Sequence, residues 1–462
     1  MRKKTLVTVT AALALLATAC GSGERGGAGG GIGAPAPAGA ASGPSNAACS
    51  GTTLKSTDIG ITADKITIEM IGDTGSTAIP GLANGAVEAV KAWADMLNKQ
   101  GGLACRKVEV RTYDSKLSPD EARNGYVDAC QKTFAAVGTT ALSVADVTPL
   151  TDCVDKNGAK TGLPEVPGLT ILPVHTCNPT SFPMYGSGVP CPVAAGARDV
   201  EVPKAVGSFM KQQLGGGAQH GLYLVPTTAA AYSQAVISQI RNLEQTYGLA
   251  ADIEAGANGK DPQSAYTPAA TTMRDKKSTF GYNASTWPSF LLLQKEAAVQ
   301  GATPKMWYCV GACYDPAYTK AGGKVTAGTY VQISNIPYEE AGQNPEIKEF
   351  TTRVKEVNTF AQSAWVSARL FQQAVEDTVK ASGPNGLTRA SLLKALAAVK
   401  DFDNRGMVSK STPSAKLPAE CIVIVQAQDG GGFKRIHPQQ PGTMRCEGFD
   451  KINIDVATAF KG

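Results

Sequence analysis

Residues 65–76 read KITIEMIGDTGS, and residues 85–114 read GAVEAVKAWADMLNKQGGLACRKVEVRTYD. The first stretch alternates polar and apolar residues up to Ile71, the period of a half-buried strand, and then breaks into a loop rich in Gly, Thr and Ser. Leu82, Ala86, Val90, Trp93 and Leu97 follow at helical spacing, and Gly101-Gly102 stops that helix. KVEVRTY at 107–113 is a second strand, Pro119 opens a helix to about Lys132, and 134–137 is a third strand. Strands alternating with helices of this length imply βαβ units and a parallel sheet.

A second series of the same kind starts near Val202. Helices are expected at 203–214, 230–247, 263–275 and 289–300, with strands at 221–225, 278–282, 305–310 and 329–333. Three more helices, at 345–358, 361–381 and 389–399, precede strands at 421–426 and 433–436. The spacing shows no short internal repeat, so the chain carries two α/β series rather than a solenoid. Its 462 residues fit two or three compact units. The 44 basic and 39 acidic residues are interspersed, with a net charge of +5. Interspersed charge reads as a solvated surface and argues against a nucleic-acid partner.

The N-terminus carries an export signal. Arg2, Lys3 and Lys4 precede an apolar run at 6–16, and Ala17, Thr18 and Ala19 stand directly before Cys20. That is a secretory leader over 1–19 whose apolar run is too short to remain as a membrane span. The order of small residues and cysteine resembles a bacterial lipobox, with Cys20 as the lipidated residue, although Ala17 stands where Leu is usual. Residues 21–48 are almost entirely Gly, Ala, Ser and Pro. Such a segment cannot offset its ordering entropy by burial, so 20–48 is expected to be a disordered tether. As a flexible coil it would reach roughly 30 Å from the anchor.

Of eleven cysteines, ten remain when Cys20 is set aside. An exported chain permits disulfides, and an even count reads as five bridges. Cys309–Cys313, Cys105–Cys130 and Cys421–Cys446 are favoured because each pair is close in sequence. The partners of Cys49, Cys153, Cys177 and Cys191 stay open. Three histidines and no CxxC pair leave metal binding without support.

The order of these features resembles the branched-chain amino-acid (Leu/Ile/Val) binding proteins of ABC importers, which have the type I periplasmic binding fold. KITIEMIGDTGS looks like that family's first strand and ligand loop. The 85–114 stretch, with its Asn-x-x-Gly-Gly turn, is similar to the family's most recognisable segment. AAVGTTALSVADVTPL (135–150) and FLLLQKEAAVQGATPKMWY (290–308) resemble its next strand and loop and a helix and strand of its second lobe. The resemblance implies two doubly wound lobes joined by three crossovers. Lobe one would take 60–187 and 336–415, and lobe two 188–335 and 416–462. It further implies a monomeric solute receptor that delivers a small polar organic solute (an amino acid, amide or small carboxylate) to a membrane permease, moored by lipid to the outer face of the cytoplasmic membrane.

In an open parallel sheet a ligand sits beyond the carboxyl ends of the strands, beside helix N-termini. That places candidate contacts at Ser76 after the first strand, Ser143 after the third, and His175 and Thr176 after the apolar stretch 169–174. Tyr232 and Trp287 follow strands of the second series. By resemblance Ser143 and Thr176 would hydrogen-bond a carboxylate, and Tyr232 would be the second lobe's binding aromatic. Each hydroxyl reads equally as a loop or helix cap, and both aromatics read also as packing. The family's acid for an α-ammonium has no glutamate in CVGACYDPAY (309–318). Only Asp315 is near, and Asp315-Pro316 also fits a turn start.

No GxSxG, HExxH or GxxxxGK[ST] occurs, so the chain reads as a non-enzyme without cofactor. A Ser143–His175 pair is the one nucleophile–base arrangement on offer, and it lacks a nucleophile motif around it. The alternative from another class is a lipid-anchored ligand sensor or interaction protein built on the same fold.

Overall fold

A computed structural model describes residue 49 and residues 51–77, 79–192, 195–227 and 230–456. The expected leader, Cys20 and the tether to residue 48 lie outside the described residues. The first series folds as β1 (Lys65–Gly72), α1 (Asn84–Lys99), β2 (Lys107–Asp114), α2 (Pro119–Lys132), β3 (Ala135–Val137), α3 (Thr148–Thr151), β4 (Glu165–Val166) and α4 (Pro173–Cys177). Its four strands are all parallel, in the order β2-β1-β3-β4. The order reverses between β1 and β3, which opens a crevice at their carboxyl ends.

The chain then forms β5 (Arg198–Pro203), α5 (Lys204–Leu214), β6 (Gln219–Pro226), α6 (Ala230–Tyr247) and β7 (Leu249–Ala257). It continues through α7 (Thr267–Lys276), β8 (Phe280–Asn283), α8 (Trp287–Gln300), β9 (Met306–Cys309), α9 (Pro316–Gly322) and β10 (Tyr330–Ile333). Strands β6 to β10 are parallel in the order β7-β6-β8-β9-β10, the same reversal as in the first sheet. Both series therefore wind doubly, and the molecule has two lobes.

After β10 the chain returns to the first lobe as α10 (Pro345–Arg353), α11 (Thr359–Ser382) and α12 (Arg389–Ala398). Helix α11 lies on α1: Trp93 meets Phe371 edge-on at 6.0 Å, and its indole N–H donates to Gln372 at 3.0 Å. Strands β11 (Cys421–Ala427) and β12 (Phe433–His437) then extend the second sheet antiparallel beyond β10. β13 (Arg445–Cys446) pairs β11, and β14 (Phe449–Ile454) pairs β5. The chain thus crosses between lobes three times, before β6, after β10 and before β11.

Most expected elements appear within a residue or two, and the departures are instructive. The helix expected at 345–358 ends at Arg353. The segment beyond it turns to α1, where the Glu356 N–H donates to Glu88, and Asn358 then caps α11. β7 gives no clear sequence signal because it is an edge strand, rich in Ala, interrupted by Asp252 and Glu254 and only part-buried.

The described residues hold five disulfides: Cys49–Cys105, Cys130–Cys153, Cys177–Cys191, Cys309–Cys313 and Cys421–Cys446. The expected Cys105–Cys130 bridge is corrected. Cys105 follows Leu103 and Ala104, which pack in the core under α1. Cys130 packs with Tyr126 and Ala129 of α2 on the opposite face of the sheet. Closeness in sequence does not help when consecutive helices of a doubly wound sheet take opposite faces. Cys421 and Cys446 face each other across the β11–β13 ladder.

Candidate functional site

The carboxyl ends of the two sheets converge on a cavity of about 260 Å³. The first lobe supplies Gly168–Ile171, just after β4, and one side of the first turns of α11, from Thr359 to Ser367. The second lobe supplies Tyr232, Val236 and Gln239 of α6, Tyr282 of β8, and Val310–Ala312 after β9. The three crossovers close the remaining wall through Met184–Ser187, Ile333–Asn335 and Pro418–Ala419. A site built from both lobes and their connections can sense their relative position.

The second-lobe wall is aromatic. Tyr282 stacks on Tyr308, with centroids 5.4 Å apart and planes 8° from parallel, and Tyr223 leans on it at 5.6 Å. Tyr282 is fully buried and its hydroxyl has no partner among the described residues. Burial and the nearby Tyr232 hold its phenol protonated, and burial pushes the Tyr232 phenol up to about 12. The Gln239 amide nitrogen is likewise buried without a partner.

Three of the loops around the cleft are organised by one carboxylate. Asp73, fully buried just after β1, accepts from Ser115 Oγ at 2.7 Å, from the Leu117 N–H at 2.6 Å and from the Leu142 N–H at 2.8 Å. It thereby ties together the loops following β1, β2 and β3. Burial raises its pKa, and these three donors oppose the rise.

Of the six residues expected to contact ligand, Tyr232 lines the cavity. Thr176 stands one layer behind it, its hydroxyl accepting from the N–H of the lining residue Ser187 at 2.8 Å. Ser76 accepts from the Ile79 N–H at 3.3 Å within the β1 loop, and Ser143 is buried in the loop after β3. His175 is wholly buried, with Nδ1 3.0 Å from Glu165. Glu165 also accepts from Tyr126 at 2.8 Å and from Ser181. Against the upward push of burial, His175 and these hydroxyls hold the Glu165 carboxyl below its ordinary value. Trp287 opens α8 and packs on Tyr318, 6.3 Å between centroids. Asp315 caps α9, its carboxylate accepting from the Ala317 N–H at 2.8 Å, as a turn start should.

Sequence reading missed Tyr282, Gln239 and the α11 wall. Phe360, Ser363 and Ser367 do share one helical face, but that spacing reads as core packing until the crossovers are known. No group of three or more His, Cys, Asp or Glu side chains among the described residues is placed to hold a metal. No helix among them is long and apolar enough to cross a membrane.

The profile of the family described as periplasmic binding protein matches residues 66–432, most of the chain. The chain belongs to that family. It is a binding protein of the type I fold rather than an enzyme. The solved structures similar to this binding protein include a substrate-binding periplasmic protein from Ralstonia solanacearum (16% identity, TM-score 0.63, 80% of this chain and 100% of that one). A fatty acid ABC transporter substrate-binding protein from Thermomonospora curvata is similar over 89% of this chain and 97% of its own (14% identity, TM-score 0.63). A leucine-binding protein from Thermotoga maritima matches over 81% and 99% (16% identity, TM-score 0.60). Identities this low speak to the fold alone. No curated protein matches the sequence.

Proposed function

We propose that this chain is an exported lipoprotein that captures a small organic solute between its lobes and presents it to the membrane permease of an ABC importer. The observation that carries the proposal is the cavity walled by strand ends of both sheets and by all three crossovers. The leader at 1–19, lipidation at Cys20 and a tether to residue 48 would moor it to the outer face of the cytoplasmic membrane. Lobe one takes 60–187 and 336–415, and lobe two 188–335 and 416–462. Tyr232 touches the solute, Thr176 sets the Ser187 wall, and Ser76, Ser143, His175 and Trp287 belong to the frame of loops around the cleft. The relatives from Thermomonospora curvata and Thermotoga maritima, described as binding fatty acid and leucine, support an import role and show that the solute varies on this fold.

The test is a thermal-shift screen of the full chain against amino acids, amides, short carboxylates, alcohols and sugars. A solute at 100 times its Kd adds about 2.7 kcal/mol to stability, a visible shift. The proposal expects a saturable hit that Tyr232→Ala and Thr176→Ala weaken. Silence across the panel from folded, ligand-free protein contradicts it and favours a sensor or interaction role.

A further inference from the structure

The chemistry of the cavity wall narrows the solute, on the reading that this cavity is the solute site. Its lining is dominated by aliphatic and aromatic side chains such as Leu169, Ile171, Val236, Phe360 and Ile422. Among the described residues no Lys, Arg or His lines it, and the single charged group is Glu201. Glu201 is already faced by Lys451 across the β5–β14 ladder, 3.7 Å away. An ammonium in the cavity would therefore compete for a carboxylate at the wall that already has a counterion.

The helix end that an anion would ordinarily use is also largely taken, with the Phe360 N–H the one first-turn donor that has no partner among the described residues. In the first turn of α11 the Thr359 N–H donates to the Tyr314 carbonyl at 3.1 Å. The Ala361 N–H donates to the Asn358 side chain at 2.9 Å, and the Gln362 N–H to the Asn358 carbonyl at 3.0 Å. A carboxylate here would leave water without a cation to replace it and with a single helix N–H at most, which disfavours it. Two buried neutral side-chain groups on lining residues have no partner among the described residues: the Tyr282 hydroxyl, on a side chain with no exposure, and the Gln239 amide nitrogen. A buried donor without an acceptor is unfavourable, and a ligand oxygen relieves it.

We infer that the interlobe cavity takes an uncharged, mainly apolar organic solute whose acceptor oxygen is bound by Tyr282 Oη and Gln239 Nε2. Taking liquid water as the measure, the cavity equals about nine molecules at ~30 Å³ each. That suits a compact amide, ester, ketone or alcohol. It also differs from the fatty acid and leucine named for two of the relatives above.

Isothermal titration of the full chain with octanamide, octanoate, octylammonium and L-leucine tests this with three matched bodies that differ in charge. The expected result is saturable octanamide binding, with octanoate, octylammonium and leucine at least tenfold weaker. Tyr282→Phe and Gln239→Leu should each weaken octanamide roughly fivefold to tenfold, as loss of one neutral hydrogen bond does, with thermal unfolding showing both variants folded. Octanoate, octylammonium or leucine binding as tightly as octanamide overturns the inference and leaves the solute-receptor reading standing. So does octanamide binding that neither variant changes. If none of the four binds, the inference falls, and the broad thermal screen decides the receptor reading separately.

Discussion

A buried carboxylate and a half-buried ammonium show what single residues do here. Asp73 is the knot of three loops, and Asp73→Ala would leave the buried Leu142 N–H and the part-buried Leu117 N–H without acceptors. A loss of about 2–4 kcal/mol in unfolding free energy is expected from urea denaturation. A change below about 1 kcal/mol would mean the loops are held by something else. Lys416 lies in the crossover before β11, its ammonium donating to the Asn178 carbonyl and standing 6.0 Å over the Phe182 ring. Burial lowers its pKa to about 8, with Glu165 pulling the other way. Between that value and the ordinary lysine value the unfolded chain binds more protons than the folded one, so this group makes stability rise with pH through that window. Lys416→Met should remove the rise, worth on the order of 1–3 kcal/mol between pH 7.5 and 10. Parallel urea midpoints for both proteins at the two pH values would contradict it. Asp73 was legible as the end of a strand and the start of a polar loop. Its three partners were not, since they come from loops distant in sequence.

Among the elements, those with a clear period were legible and those defined by a distant partner were not. β1, α1, β2 and α2 carry their own pattern and stop signals, and they form where expected. β5 and β14 pair with each other although far apart in sequence, and the short alternation of DVEV and KINI does not reveal that partner. The cysteines divide in the same way. Cys309–Cys313 is a local staple whose loop supplies Val310, Gly311 and Ala312 to the cavity, whereas Cys49–Cys105 depends on how the chain returns beneath α1. The crossovers touch at Gly186, whose N–H donates to the Leu417 carbonyl at 2.7 Å and where an added Cβ would lie 1.7 Å from the Lys416 carbonyl oxygen. That oxygen belongs to backbone and cannot swing aside. Gly186→Ala should lower stability by about 2 kcal/mol or more and weaken solute binding with it. Gly216→Ala, which meets nothing within 4 Å, is the control and should unfold like the parent. Equal melting curves for the two variants would show that the crossovers can separate freely.

For the whole molecule, two α/β series followed from counting βαβ units and two lobes from the family resemblance, and the repeated strand order β2-β1-β3 and β7-β6-β8 is the three-dimensional form of both. The cleft was legible as a region, beyond the carboxyl ends of both sheets, but its lining was not. Only the crossovers decide which loop faces the other lobe, and they bring α11 and residues 184–187 against α6 and β8. Tyr232, expected at the cleft because it follows a strand, lines the cavity. Tyr282, inside a strand, gave no such sign.

The central claim is that solute binds in this interlobe cavity. The most direct measurement is titration of the strongest hit from the thermal screen into the parent chain and into Ser363→Trp, which fills the cavity from the α11 side. Binding should fall at least a hundredfold in the variant while its ligand-free unfolding temperature stays within a few degrees of the parent. Unchanged affinity in a folded Ser363→Trp protein would place the solute elsewhere and contradict the account.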